Sequence, residues 1–255
     1  MTGRKKSSRR SAKRKFEGGG RSPWQPLLIL LGLTVFGFAV WKFTIWVMST
    51  KYFNVREVTV SGLRYVKENE VKAEVADAVG VNTFKLKISV YEERLEGLPW
   101  VKEARIYREL PSRLQVDISE RELLALLNTR GGLTVVDSEG NLVAPPRVGE
   151  IYDLPLISGC VDGEGQFLEA VNFLRAAKTL CPQVYSKISE VYFLGRNLNL
   201  YALVDESAKR VKIGRGFYRD KVFKLWLALF HSEIDFNSFA GFDIRFPGKI
   251  FYTQN

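Results

Sequence analysis

An α+β fold tied to a membrane by one N-terminal helix is what this sequence predicts, on three observations. Residues 24–50, WQPLLILLGLTVFGFAVWKFTIWVMST, form one apolar run broken by a single charge, Lys42. Beyond it, runs of alternating polarity such as Leu114, Val116 and Ile118 recur among stretches with helical spacing such as Val71, Val75 and Val79. Those two periods mark half-buried strands and amphipathic helices. Turn residues separate them, among them Gly62, Gly80, Pro111, Gly140, Pro247 and Gly248.

A helix rises about 1.5 Å per residue and the hydrocarbon core is about 30 Å thick, so crossing takes roughly 20 residues. Residues 27–48 meet that length and are read as the membrane helix. Lys42 lies near the far end, where its stem can snorkel, and Trp24, Trp41 and Trp46 suit the interfaces. The preceding residues 1–26 are a basic tail, with Arg4, Lys5, Lys6, Arg9, Arg10, Lys13, Arg14, Lys15 and Arg21 against Glu17. The positive-inside rule puts this tail in the cytoplasm and everything after Lys51 outside. A continuous apolar run with such a flank argues against a buried core helix. Val47 and Ser49 make only a weak cleavage site, and the run exceeds a signal-peptide core, so a retained anchor is expected.

The formal charge of +10 sits mostly in that tail, and the exported part is nearly neutral. With neither aromatic interleaving nor a zinc spacing, the charge reports topology rather than nucleic-acid binding. Residues 49–54 are a connector, and those that follow suffice for two small domains. Cys160 and Cys181 could bond in an oxidising compartment or serve as small buried hydrophobes, and the sequence leaves both open.

Residues 55–62 alternate at Val58 and Val60 and read as a strand. Residues 66–79 read as a helix capped by Gly80. A second helix spans residues 89–95, from Ser89 as N-cap to a stop before Gly97 and Pro99. Strands follow at residues 101–108, with Ala104 and Ile106 inward, and at residues 113–119 across the Leu110, Pro111, Ser112 turn.

This strand, helix, helix, strand, strand order is the layout of a POTRA domain, here residues 55–120. The wording agrees: YFNVREVTVSG, GVNTFKL and RLEGLPWVKEARIYRELPSRLQVDISER resemble the POTRA of the bacterial cell-division family FtsQ/DivIB. Leu123 stands where such sequences often carry proline.

Residues 121–255 change to short strands: LLALLN, LTVVD and NLVAP, with residues 137–140 as a hairpin turn between the last two. LPLISG is similar to a recurrent segment of the family. Residues 165–180 read as a helix through Phe167, Leu168, Val171, Leu174 and Ala177, stopped by Pro182. Strands are expected at residues 188–194, 198–203 and 210–213, the last two separated by Asp205, Glu206 and Ser207, as an antiparallel meander. A helix at residues 217–230 places Val222, Leu225, Trp226 and Leu229 on one face, and two final runs, 239–246 and 249–253, flank Pro247 and Gly248. VKIG and FDIRFPGKIFY again resemble the family, which implies a mostly antiparallel β-domain with helices on one side.

No enzyme, cofactor or metal centre is expected. His231 is the only histidine and sits at a helix end, LISGC lacks the first glycine of a nucleophile elbow, and no carboxylates are paired by spacing. Glu92, Glu93, Glu103 and Asp117 alternate with cations, as on a solvated face. Gly214, Arg215 and Gly216 make a plain strand-to-helix turn.

Contact is the alternative to chemistry. A last strand with one neighbour offers unpaired backbone to another chain. In residues 249–253, Ile250 and Tyr252 would share one face and Lys249, Phe251 and Thr253 the other, leaving one aromatic free as an anchor. The resemblance implies that this strand, with Arg245 and Phe246 before it, docks FtsB, itself bound to FtsL, and that Arg196 adds a further contact. It also implies a single-pass inner-membrane scaffold at the division septum, linking early and late division proteins and regulating septal peptidoglycan synthesis. The competing expectation is an envelope transport or secretion accessory using its POTRA domain to bind polypeptides.

Overall fold

The computed structural model describes residues 24–160, 164–194, 200–204, 209–231 and 239–254. The basic tail to Pro23, the polar link at Asp205, Glu206 and Ser207, and Arg196 lie outside them.

Helix α1 (Gln25–Ser49) carries the apolar run, and its long hydrophobic side chains lie outside any protein core. Its last carbonyls would be orphaned by geometry. Thr50 N–H takes that of Trp46, and Asn82 Nδ2 takes those of Val47, at 2.9 Å, and of Thr50, at 3.3 Å.

The first module comprises β1 (Glu57–Ser61), α2 (Glu68–Glu74), α3 (Ile88–Glu96), β2 (Val101–Glu109) and β3 (Arg113–Glu120). Its sheet runs β1-β3-β2, with β1 parallel and β2 antiparallel to β3. Alternation decides which residues turn inward: Ala104, Ile106, Leu114, Val116 and Ile118 are buried against Val71, Leu95 and Trp100. Glu120 ties the end of β3 back, accepting backbone N–H groups from Arg64, Tyr65 and Val66.

Two expectations fail here. The helix foreseen over residues 66–79 is only α2 followed by a 3₁₀ turn, Ala76–Ala78. Val75 leaves helical geometry with φ −113°, so Val71 and Val75 are buried while Val79, beyond the break, is half exposed. Gly80, at φ +86°, caps no α-helix; its N–H bonds the Val55 carbonyl and returns the chain toward β1. Ser89 is not the N-cap of α3, because the helix starts one residue earlier, after Lys87 and without a side-chain cap.

The second module holds β4 (Leu123–Thr129), β5 (Gly132–Asp137), β6 (Leu156–Ser158), α4 (Glu164–Leu180), α5 (Pro182–Tyr185), β7 (Ile188–Phe193), β8 (Leu200–Val204), β9 (Lys209–Lys212), α6 (Tyr218–Phe230), β10 (Phe239–Asp243) and β11 (Phe251–Gln254). They form one sheet in the order β11-β10-β9-β8-β7-β6-β4-β5. Pairs β10–β11, β8–β9, β7–β8 and β4–β5 are antiparallel, whereas β9–β10, β6–β7 and β4–β6 are parallel. Antiparallel pairing therefore prevails in a mixed sheet. Phe173, Leu174 and Ala177 of α4 and Val222 and Leu225 of α6 share its core with Leu124, Ile157, Val191 and Ala202.

LPLISG, unremarkable as chemistry, supplies β6, wedged between β4 and β7. NLVAP is not a strand: Asp137 Oδ1 accepts the N–H groups of Glu139 and Asn141, folding it back into one bridge between Val136 and Leu142. Pro182 ends α4 but starts α5, as a proline in a first turn can. Cys160 and Cys181 are unbonded, and burial raises the Cys160 thiol to about 11.

Arg121 and Glu122 are the whole link between β3 and β4. Around it, Tyr65 and Trp100 each stack on Tyr152 and tilt against each other, with centroids 5.8–6.0 Å apart. Arg147 lies over the Trp100 ring and grips Glu70 through two hydrogen bonds of 3.0 and 2.9 Å.

Candidate partner-docking edge

β11 has β10 as its one partner in the sheet, so the backbone groups on its other side meet no strand among the described residues. The register sets Phe242 opposite Tyr252 and Asp243 opposite Phe251, after an irregularity between Phe239 and Gly241. Gly241 is needed there, since a Cβ would come within 2.7 Å of the Arg210 carbonyl oxygen on β9.

The turn between β10 and β11 is built from both sides. Gly248 at φ +67° reverses the chain after Pro247. Beneath it Lys224 of α6, almost wholly buried, donates to the Phe246 carbonyl at 2.5 Å and pairs with Asp220 at 2.6 Å. Arg245 folds back on Asp243, with Nη2 to Oδ2 at 2.7 Å, and its guanidinium lies 5.5 Å from the Phe246 ring. Burial pulls the Asp243 carboxyl upward, but hydrogen bonds from the Arg245 side chain and backbone outweigh it and hold the group below the usual carboxylate range. The arm of Arg245 also covers Gly214, where a Cβ would meet its Cγ at 2.9 Å.

The strand expected over residues 249–253 is shorter than foreseen. The strand starts at Phe251; Lys249 and Ile250 belong to the turn, and Ile250 packs partly onto the core. Phe251 leans edge-on against Phe246 and Tyr252 against Phe239, leaving Phe251 50% and Tyr252 52% exposed. Two aromatics, not one, stand beside the unpaired backbone, with Phe246 also half exposed. Thr253 lies within the strand. Arg245, Phe246, Lys249, Ile250, Phe251, Tyr252 and Thr253 thus come together at one end of the sheet, but the Arg245 charge is already engaged by Asp243.

Sequence reasoning missed Lys224, whose only signal is its spacing of four from Asp220. It also missed Asn82, which no local pattern marks. His231 ends α6 with its ring 4.0 Å from that of Trp226, a packing contact. Among the described residues no group of three His, Cys, Asp or Glu could hold a metal.

Residues 53–121 match the family model of the POTRA domain, FtsQ-type. The chain is 28% identical over 232 residues to the cell division protein FtsQ of Myxococcus fulvus, covering 84% of this chain and 80% of that one. It is 24% identical over 199 residues to FtsQ of Geotalea daltonii, covering 74% and 70%. A solved structure, the major extracytoplasmic domain of the trans isomer of DivIB from Geobacillus stearothermophilus, aligns with 46% of this chain and 99% of its own at 17% identity and a TM-score of 0.34, too loose a likeness to place residues. A POTRA domain behind one helix long and apolar enough to cross a membrane, followed by a β-rich module, is the layout of a membrane-anchored protein. Within that class, the chain carries an FtsQ-type POTRA domain and is similar over most of its length to the bacterial cell-division protein FtsQ.

Proposed function

We propose that this protein is a non-enzymatic scaffold of the division machinery. α1 anchors it in the cytoplasmic membrane with the basic tail inside, and both modules stand outside, at the septum. The edge of β11 pairs with a strand of an FtsB-like partner that is itself bound to an FtsL-like one, and through them links early and late division proteins and regulates septal peptidoglycan synthesis. Main-chain bonds would supply affinity in such strand addition, and the flanking side chains specificity. The observation that carries this reading is the one-sided pairing of β11 beside two half-exposed aromatics. The relatives' names support the division role.

The test is hydrogen exchange on the full chain in nanodiscs, with and without the partner's extracytoplasmic segment. Slower exchange at residues 251–254 on binding is expected. Binding with no change there would overturn strand addition. A fluorescent fusion should collect at midcell, and even envelope staining would favour a transport accessory.

A further inference from the structure

We infer that the loop between the 3₁₀ turn and α3, together with the connector after α1, is a second membrane contact: it seats the first module flat on anionic lipid headgroups of the outer leaflet. This rests on α1 being the anchor.

The loop is pinned from behind. Val55 N–H bonds the Val81 carbonyl, Gly80 N–H bonds that of Val55, and Thr83 N–H bonds that of Phe53. Arg108 reaches across from β2, its Nε donating to the Thr83 carbonyl and its Nη2 to that of Leu86, at 2.9 and 2.8 Å. The polar groups of the loop are therefore largely spent inside the module.

Its outer surface has the opposite character. Tyr52, Val79, Val81 and Phe84 are 59%, 50%, 37% and 40% exposed, and Lys51, Lys85 and Lys87 are exposed among them. Tyr52, Phe53 and Phe84 form an edge-to-face chain with successive centroids 5.2 Å apart. Aromatics mixed with lysines suit a membrane interface, where ring and stem sit in the headgroup layer and the ammonium meets phosphate.

Position selects the occupant. Asn82, between Val81 and Phe84, donates to the Val47 carbonyl, within the last turn of α1. A helical turn is about 5.4 Å and each headgroup layer roughly 5–7 Å thick. With α1 embedded, Asn82 therefore holds this surface at the depth of the headgroups. The nearest acid on the 3₁₀ turn, Asp77, is neutralised by Arg94.

The experiment uses the full chain with Cys160→Ser and Cys181→Ser, single bimane labels, and nanodiscs carrying headgroup-level nitroxide lipid. A label at Phe84→Cys should be quenched at least about twofold more than one at Phe223→Cys on α6, because the headgroup layer is only roughly 5–7 Å thick. Lys85→Glu with Lys87→Glu should reduce that quenching in phosphatidylglycerol discs and change it little in phosphatidylcholine discs. Quenching at Ile45→Cys without quenching at Phe84→Cys would leave the anchor standing and overturn the second contact. No quenching at Ile45→Cys would overturn the anchor and this inference with it.

Discussion

Lys224 Nζ, buried under α6, donates to the carbonyl oxygen of Phe246 at 2.5 Å, joining the helix layer to the turn that presents β11. Replacing Lys224 with Met keeps the stem and removes the bond. A hydrogen bond from a charged group contributes about 2 kcal/mol, so the turn should loosen by that order. Faster hydrogen exchange at residues 246–251, with α4 unchanged, is the expected result.

Phe251→Lys or Tyr252→Lys should leave the fold nearly intact, because each ring is half exposed at the sheet edge. Loss of an aromatic anchor typically costs about 2 kcal/mol of binding, or roughly thirtyfold in Kd. Titration of an FtsB-like segment against each variant, with thermal unfolding as the control, checks both halves. Unaltered affinity would remove the β11 edge from the docking surface.

Lys221, buried beside the Arg215 carbonyl that it bonds at 2.6 Å, has its pKa pushed down to about 8, chiefly by desolvation. Between that value and the ordinary 10.5, the folded state binds fewer protons than the unfolded one, so stability rises with pH. The gain from pH 8 to pH 9 should be about 1 kcal/mol, as one unit of pKa corresponds to 1.36 kcal/mol. Lys221→Met should remove that slope in denaturant titrations of the full chain.

Arg147→Ala should break the double hydrogen bond to Glu70 and the ring contact with Trp100. For a partly exposed pair with a cation–π contact the cost is about 1 kcal/mol. The Arg147 hydrogen bond is the main cause of the lowered Glu70 carboxyl. Stability from this pair is thus present above the ordinary Glu pKa of 4.5 and lost as pH falls through the folded value. The variant should be less stable than the parent at pH 7, with the difference shrinking in acid.

The first sheet and the membrane helix were legible because each has a single strong period: every second residue of β3 is buried, and α1 is apolar all round. Short parallel β6 was not, since three residues between turn-formers give no period to count. Nor was the break in α2, where valines spaced by four continue past the point at which Val75 turns away. At the docking edge, backbone exposure followed from the alternating final run, but the aromatic count did not. That depended on Ile250 turning inward at the end of the turn, a tertiary choice. Lys224 and Asn82 act over tens of residues on backbone carbonyls, which carry no sequence signature.

The two-residue link at Arg121 and Glu122 leaves the chain no slack. Arg121 uses its guanidinium on both sides, Nε to the Pro99 carbonyl and Nη1 to Asp137 Oδ2, both at 3.0 Å. Successive strand side chains point to opposite faces, so one added residue would present β4 wrong side up to the layer it must cover. A spacer here would be a folding defect, whereas the same spacer in an ordinary linker passes unnoticed. The protein is better pictured as a bracket cast at one angle than as beads on a string.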